Sequence, residues 1–132
     1  MIKVAAAIII SRGRILIARR GKGQSHEGLW EFPGGKVEPD ENPQQCLERE
    51  LLEELGLKVQ AGRVLGESID RSDHGSFKIL AVTARILEGE LLPSVHDRVE
   101  WTDLNDLEGF DLLPADRELW NNIKSYVLLN LL

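Results

Sequence analysis

Residues 35–57 read GKVEPDENPQQCLERELLEELGL, and this stretch decides the fold. Asn42 followed by Pro43 is typical of a helix N-terminus, with Asn42 as the N-cap and Pro43 at the first helical position. Gln45, three residues after the cap, is placed to complete a capping box. Gly56 suits the left-handed residue that ends many helices. The sequence therefore predicts a helix over residues 43–55.

This helix has an apolar face beside an acidic one. At about 100° per residue, the apolar face is formed by Leu47, Leu51 and Leu55. The adjoining sector carries Glu50, Glu53 and Glu54, and such carboxylates repel one another by about 0.2–0.5 kcal/mol per pair. Hard divalent cations favour oxygen ligands, so a metal site would explain the arrangement. The alternative is a solvated, glutamate-rich surface.

Outside this helix, apolar runs bounded by glycine and polar residues predict strands over residues 4–10, 15–18, 30–32, 59–69, 77–87 and 99–101. Residues 11–14 form a predicted turn, residues 21–28 a polar loop, and Gly34-Gly35 a loop that allows close backbone approach. A second helix is predicted from about Asp116 to the end of the chain. This order indicates the α+β class with a mixed sheet, in a single domain over residues 1–132.

Composition narrows the function. A net charge of −6 argues against a nucleic acid polymer as partner, because a polyanion needs a basic face. A small phosphorylated substrate remains compatible if metal ions bridge it to carboxylates. Cys46 is the only cysteine, which fits a buried apolar role and a reducing cytoplasm. The N-terminal apolar stretch ends at Ser11, too short for a signal peptide or a membrane span.

The same stretch carries a family motif. Its fixed positions are Gly35, Glu41, Arg49, Glu50, Glu53, Glu54 and Gly56, with an aliphatic residue after Glu50 and after Gly56. Their spacing resembles the Nudix box without a mismatch. The run LWEFPGGKVE, residues 29–38, is similar to the MutT-type branch of that family. The resemblance covers essentially the whole chain.

The resemblance implies an α/β/α sandwich and a metal-dependent hydrolase that converts a nucleoside triphosphate into the monophosphate and pyrophosphate. It implies Mg²⁺ or Mn²⁺ bound by Glu50, Glu53 and Glu54, with the carbonyl of Gly34 or Gly35 as a further ligand. Glu50 or Glu53 would also activate the attacking water. Arg49 and Glu41 would fix the loop on the helix.

The resemblance also implies substrate-binding residues, namely Arg20, Phe32, Lys36 and Asp116. Each has an alternative or additional role: Phe32 as a core aromatic, Lys36 as a solvated lysine, and Asp116 as the N-cap of the last helix. An ionised Asp116 could accept two adjacent protons from guanine or one from cytosine. A guanine edge such as that of 8-oxo-guanine is therefore the first expectation and cytosine the second, and the sequence leaves the oligomeric state open.

One position departs from the MutT-type pattern. Val95 stands where such proteins often carry a further glutamate, although His96 follows as expected. Asp97 and Glu100 are nearby carboxylates that could substitute. His26 and His74 lie in predicted loops without a ligand spacing between them.

Two other functions remain as alternatives. Nudix enzymes for ADP-ribose or dinucleoside polyphosphates tend to carry Pro or Tyr beyond the box, whereas residues 72–75 contain neither. A non-catalytic nucleotide-binding module would usually lose box glutamates, and an intact box favours the enzyme.

Overall fold

The computed structural model describes residues 1–72, 75–89 and 96–131. Its strands are β1 Ile2–Ile8, β2 Ile10–Ser11, β3 Arg14–Arg20, β4 Trp30–Glu31, β5 Gly34–Lys36, β6 Lys58–Ser72, β7 Gly75–Glu88 and β8 His96–Asp103. The helices are α1 Pro43–Leu55 and α2 Pro114–Asn130, preceded by a short 3-10 turn at Leu107–Gly109. Within the described ranges, neither helix has both the length and the apolar character that a bilayer crossing requires.

The strands form two sheets. The first has the order β5-β1-β7-β6, in which β1 and β7 are parallel and the other neighbours are antiparallel. The second is antiparallel, with β3 paired to β2, β4 and β8. The predicted mixed sheet is confirmed, and the second sheet is an addition to it.

Two apolar cores lie on opposite sides of β1, because successive side chains of a strand point to opposite faces. Ala5 and Ala7 belong to the core under α1, whose leucines Leu47, Leu51 and Leu55 are fully buried. Ala6 and Ile8 belong to the core under α2. A strand covered on both faces needs no polar alternation, which explains the uninterrupted apolar run at the N-terminus. The predicted α/β/α sandwich is confirmed.

Helix α1 begins and ends where the sequence predicts. The N–H of Gln45 donates to Asn42 Oδ1 at 2.8 Å, and the N–H of Asn42 donates to Gln45 Oε1 at 2.9 Å. Gly56 has φ 68° and closes the helix in the left-handed conformation. These local contacts hold the glutamate-bearing helix at both ends.

Two sequence interpretations are wrong. Helix α2 begins at Pro114 with Leu113 as its N-cap, so Asp116 lies inside the first turn and is not the cap. Its carboxylate instead accepts the N–H of Phe32, a residue distant in sequence. Gly34-Gly35 is part of strand β5, paired with Ala6 and Ala5 of β1, and not a loop.

Candidate active site

The carboxylates of α1 do not all lie together. Glu50 and Glu54 are in hydrogen-bond contact, and Glu50 Oε1 accepts from Arg49 Nη1 at 2.9 Å. Glu53 is more exposed and lies 3.4 Å from the same Arg49 nitrogen. Among the described residues, no three acidic, histidine or cysteine side chains converge on one preformed cation position. The structure therefore brings Glu50 and Glu54 together and leaves Glu53 at the rim.

The contact between Glu50 and Glu54 has an electrostatic consequence. Burial raises the pKa of Glu54 to about 8, helped by the hydrogen bond that protonated Glu54 donates to Glu50 and by the charges of Glu50 and Glu31, while Arg20 opposes the rise. Without a cation nearby, Glu54 therefore keeps its proton at neutral pH and donates it to Glu50. Oxygen donors in this state fit a hard divalent cation, which would replace that proton.

Arg49 joins α1 to the segment that follows β5. Its Nη2 and Nε donate to the two carboxylate oxygens of Glu41 at 2.6 and 3.2 Å. Nη2 also reaches the carbonyl of Lys36 at 3.3 Å. The Arg49 hydrogen bonds, together with the N–H of Glu38, lower the pKa of Glu41 to about 2. Glu41 and Arg49 thus form a charge-assisted, two-pronged link between loop and helix.

The two glycines of β5 allow this close approach. A Cβ on Gly34 would overlap the carbonyl oxygen of Ala5, and a Cβ on Gly35 would lie 2.6 Å from Glu50 Oε1. The thiol of Cys46 donates to the Gly35 carbonyl at 3.4 Å. Burial, chiefly, raises the pKa of Cys46 to about 12, so the sulfur remains a protonated donor. The buried thiol thus has a structural contact and no nucleophilic character.

A cleft of about 820 Å³ opens beside these residues. Its walls include Glu54, Gly34 and Gly35 from the carboxylate region. They also include all four residues predicted to bind substrate: Arg20, Phe32, Lys36 and Asp116. The structure therefore places the predicted binding residues on one continuous surface with Glu54, Gly34 and Gly35, three of the residues predicted to hold the metal.

Asp116 is the most deeply buried acidic side chain of this cleft, with 5% of its surface exposed. Its Oδ2 accepts the Phe32 N–H at 2.9 Å. Burial raises the pKa of Asp116 to about 7, against the lowering effect of that hydrogen bond. Both protonation states are therefore accessible near neutral pH, which lets the carboxyl accept or donate.

The other predicted binding residues differ in the contacts that they make within the protein. Phe32 is buried, with its ring 6.4 Å from that of Trp120, so its core role and its place on the cleft coexist. Lys36 is exposed, with its Nζ 5.6 Å from the centre of the Phe77 ring. Arg20 is bonded to Glu31 and Ser25.

The late-strand position that departs from the MutT-type pattern lies largely outside the described residues. Val95 and His74 lie outside the described residues, and for His96 and Asp97 only the backbone of β8 is described. Glu100 Oε1 lies 3.0 Å from Arg98 Nε on the same strand. His26, given no ligand role by its spacing, lines the cleft.

Sequence reasoning missed two charged residues of the cleft, Glu31 and Asp70. Both influence the pKa of Asp116, and Glu31 also influences that of Glu54. Glu31 sits inside the MutT-like run and could have been singled out there. Asp70 carries no motif, and only the pairing of β6 through β7 to β1 brings it to the site.

Comparisons with known proteins agree with this geometry. The NUDIX domain model matches residues 1–124. The CTP pyrophosphohydrolase of Escherichia coli (strain K12) is 38% identical over 116 residues, covering 88% of this chain and 86% of that protein. A putative 8-oxo-dGTP diphosphatase 2 of Mycobacterium tuberculosis (strain ATCC 25618 / H37Rv) is 35% identical over 116 residues, covering 86% and 82%. The solution structure of the E. coli ORF135 protein superimposes with a TM-score of 0.84 at 34% identity, covering 98% of this chain and 93% of that one.

Proposed function

This chain belongs to the NUDIX domain family, and on that premise we propose that it hydrolyses a nucleoside triphosphate to the monophosphate and pyrophosphate. One observation carries the proposal. Glu54, which is paired with Glu50 on α1, and Gly35 line the same cleft as the buried Asp116. One end of this cleft carries carboxylates that favour a cation, and the other carries a carboxyl that can form hydrogen bonds. This arrangement suits a nucleotide, which has phosphates at one end and a base at the other. Two similar proteins are named for pyrophosphohydrolase or diphosphatase activity on such nucleotides.

The cation in this proposal is Mg²⁺ or Mn²⁺, bound by Glu50, Glu53 and Glu54 with the carbonyl of Gly34 or Gly35. When bound, such an ion neutralises phosphoryl charge and lowers the pKa of coordinated water. The raised pKa of Glu54, in contact with Glu50, supports the assignment, because it marks a place where positive charge is favourable. Glu53 joins from the rim, where its exposed contact with Arg49 is a weak one.

Glu50 or Glu53 accepts the proton of the attacking water in this scheme. The water oxygen bonds to the β-phosphorus, and the bond from that phosphorus to the oxygen bridging it to the α-phosphorus breaks. The monophosphate leaves with the bridging oxygen, and the solvent oxygen ends in pyrophosphate. Hydrolysis in ¹⁸O-water with mass spectrometry of both products tests this, and release of inorganic phosphate alone from a triphosphate contradicts it.

The base is read by Asp116 in this proposal. One lone pair of Oδ2 is used by the Phe32 N–H, which leaves the other oxygen and a second lone pair for ligand. An ionised carboxylate accepts the neighbouring N1–H and N2–H of a guanine edge, so 8-oxo-dGTP is the first candidate substrate.

Cytosine is the second candidate, and one observation favours it. With its pKa raised to about 7, Asp116 is partly protonated at neutral pH. A protonated carboxyl donates to N3 of cytosine while accepting from its amino group, which makes two complementary bonds. CTP is accordingly the nucleotide for which a similar protein is named.

Free nucleotides in a reducing cytoplasm, and not nucleic acid polymers, are the proposed setting. The net charge of −6 disfavours a long polyanion, and the buried cysteine fits reducing conditions.

The deciding experiment measures kcat/KM for ordinary, methylated and oxidised nucleoside triphosphates with Mg²⁺, for the parent and Asp116→Asn. Asn keeps an acceptor for the Phe32 N–H but adds a permanent donor toward the ligand. We expect selectivity among bases to change by about tenfold or more, since a mispaired contact is worth roughly 1–3 kcal/mol. If the parent hydrolyses none of these nucleotides, the function is wrong. If the substrate ranking is unchanged in the variant, Asp116 does not read the base.

A further inference from the structure

The guanidinium of Arg20 is engaged on two sides. Its Nη1 lies 3.2 Å from each carboxylate oxygen of Glu31 on β4. Its Nε donates to the Ser25 carbonyl at 2.5 Å, and its Nη2 donates to Ser25 Oγ at 3.1 Å. All three nitrogens are therefore committed within the protein, in the fork geometry that only arginine provides.

The segment that Arg20 holds, residues 21–28, closes on itself. The Gly28 N–H donates to the Arg20 carbonyl at 2.9 Å, and the Gly21 N–H donates to Gln24 Oε1 at 2.6 Å. Its backbone includes His26 at φ 57°, a conformation that a side-chain-bearing residue adopts only at a cost. Such a conformation persists only when surrounding contacts enforce it.

This segment also faces the substrate space. Gln24, Ser25 and His26 line the cleft together with Arg20 and Glu31. The contacts of Arg20 with Ser25 thus hold one wall of the cleft against β3 and β4. Loss of these contacts would leave the carboxylates of α1 in place and loosen only this wall.

We propose that Arg20 is a positioning residue that holds residues 21–28 as a wall of the nucleotide site, and that it lowers KM through this wall and not by contacting phosphate itself. The inference rests on the proposed function, which supplies the nucleotide. It reassigns Arg20 from ligand binding to loop organisation, because each of its three nitrogens already donates a hydrogen bond to Ser25 or Glu31.

The test compares Arg20→Lys with Arg19→Lys as a matched control. Lysine keeps the positive charge but cannot bond Ser25 and Glu31 together. Arg19 is the neighbour on β3, with its guanidinium carbon 5.8 Å from the centre of the Trp30 ring. Ser25→Ala is a second variant, which removes the Oγ acceptor and leaves both charges of the Arg20–Glu31 pair.

Two quantities are measured for each variant: amide hydrogen exchange without nucleotide, and the steady-state kcat and KM. For Arg20→Lys we expect exchange of the Gly21, Gly28 and Leu29 amides to quicken about tenfold, with α1 amides unchanged. We expect KM to rise about fivefold or more and kcat to stay within about twofold. Ser25→Ala should change both quantities in the same direction but less, and Arg19→Lys should change neither.

Each other outcome overturns the inference. A raised KM with unchanged exchange means that Arg20 contacts the nucleotide directly. Faster exchange with unchanged KM means that the segment is no part of the site, and faster exchange in α1 as well means general destabilisation. If the parent hydrolyses no nucleotide, the proposed function fails instead, while the exchange measurement still decides whether Arg20 holds the segment.

Discussion

Replacing Asp116 by Asn should make the protein more stable in alkaline solution and leave it unchanged in acid. Asp116 is buried, and its pKa rises from 3.8 to about 7 on folding. Between these two values the folded protein holds a proton that the unfolded chain has lost. Stability therefore falls as pH rises through this window and becomes level above about pH 7. Asn accepts the same Phe32 N–H and does not titrate, so the variant lacks this loss.

The size of the effect follows from the rise in pKa. Each pKa unit corresponds to about 1.36 kcal/mol, so ionising the buried Asp116 costs the folded state up to roughly 4 kcal/mol. The variant should gain this amount over the parent between about pH 4 and pH 8. Titrating groups that do not interact with Asp116 contribute equally to both proteins, so they cancel in the difference.

Chemical denaturation of both proteins, without metal and at a series of pH values, measures this difference. The expected curve is near its minimum at acid pH, climbs towards neutrality and flattens above it. A difference that stays constant within about 0.5 kcal/mol, or that shrinks as pH rises, would refute the reasoning. Such a result would mean that Asp116 is ionised in the folded protein throughout.

Three further predictions concern catalysis. Glu53→Gln should lower kcat with Mg²⁺ at least about a hundredfold without lowering the stability of the metal-free protein. Glu48→Gln on the same helix is the control and should have nearly the parent rate. Equal rates for the two variants would remove Glu53 from the metal site. Gly35→Ala should also lose at least about a hundredfold in turnover, because its Cβ would lie 2.6 Å from Glu50 Oε1 and displace that carboxylate; a near-parent rate would show that Glu50 need not stay where it is. The ratio of kcat/KM for CTP to that for 8-oxo-dGTP should rise by up to about a hundredfold from pH 8 to pH 6, because Asp116, with its pKa of about 7, takes up a proton. A flat ratio, or one that stays pH-dependent in Asp116→Asn, would contradict this.

The features that the sequence predicts well are local ones. The sequence predicts helix α1 residue by residue because its capping box, its first-turn proline and Gly56 act within a few residues of one another. Helical periodicity likewise predicts the acidic sector, although the structure pairs only Glu50 with Glu54 and leaves Glu53 exposed. Contacts of this range leave a direct pattern in the sequence.

The wrong interpretations arise where a distant contact overrides a local preference. Aspartate is favoured at helix N-caps, but α2 begins earlier, at Pro114. The carboxyl of Asp116 instead accepts a hydrogen bond from Phe32, 84 residues away in sequence. The pair Gly34-Gly35 is typical of a loop, but it forms part of strand β5 because it pairs with the backbone of β1. The binding role predicted for Arg20 stays a prediction, and its hydrogen bonds to Ser25 and Glu31 depend on a folded loop that no periodicity indicates.

The hydrogen bond from Phe32 to Asp116 helps to fix the distance between Asp116 and the carboxylates of α1. Phe32 donates its N–H to Asp116, the carboxyl proposed to read the base, and Gly35, three residues later, lies against Glu50 of α1. The Pro33 carbonyl between them accepts the Ala7 N–H at 2.8 Å. Three residues span at most about 10 Å, so covalent geometry limits the separation of Asp116 and Glu50. Under the proposed function, we expect this spacing to select nucleotides by the length from the base to the reacting phosphorus. A spacer inserted within that length should be rejected whatever base it carries, whereas groups attached beyond the reacting phosphorus lie outside the measured interval.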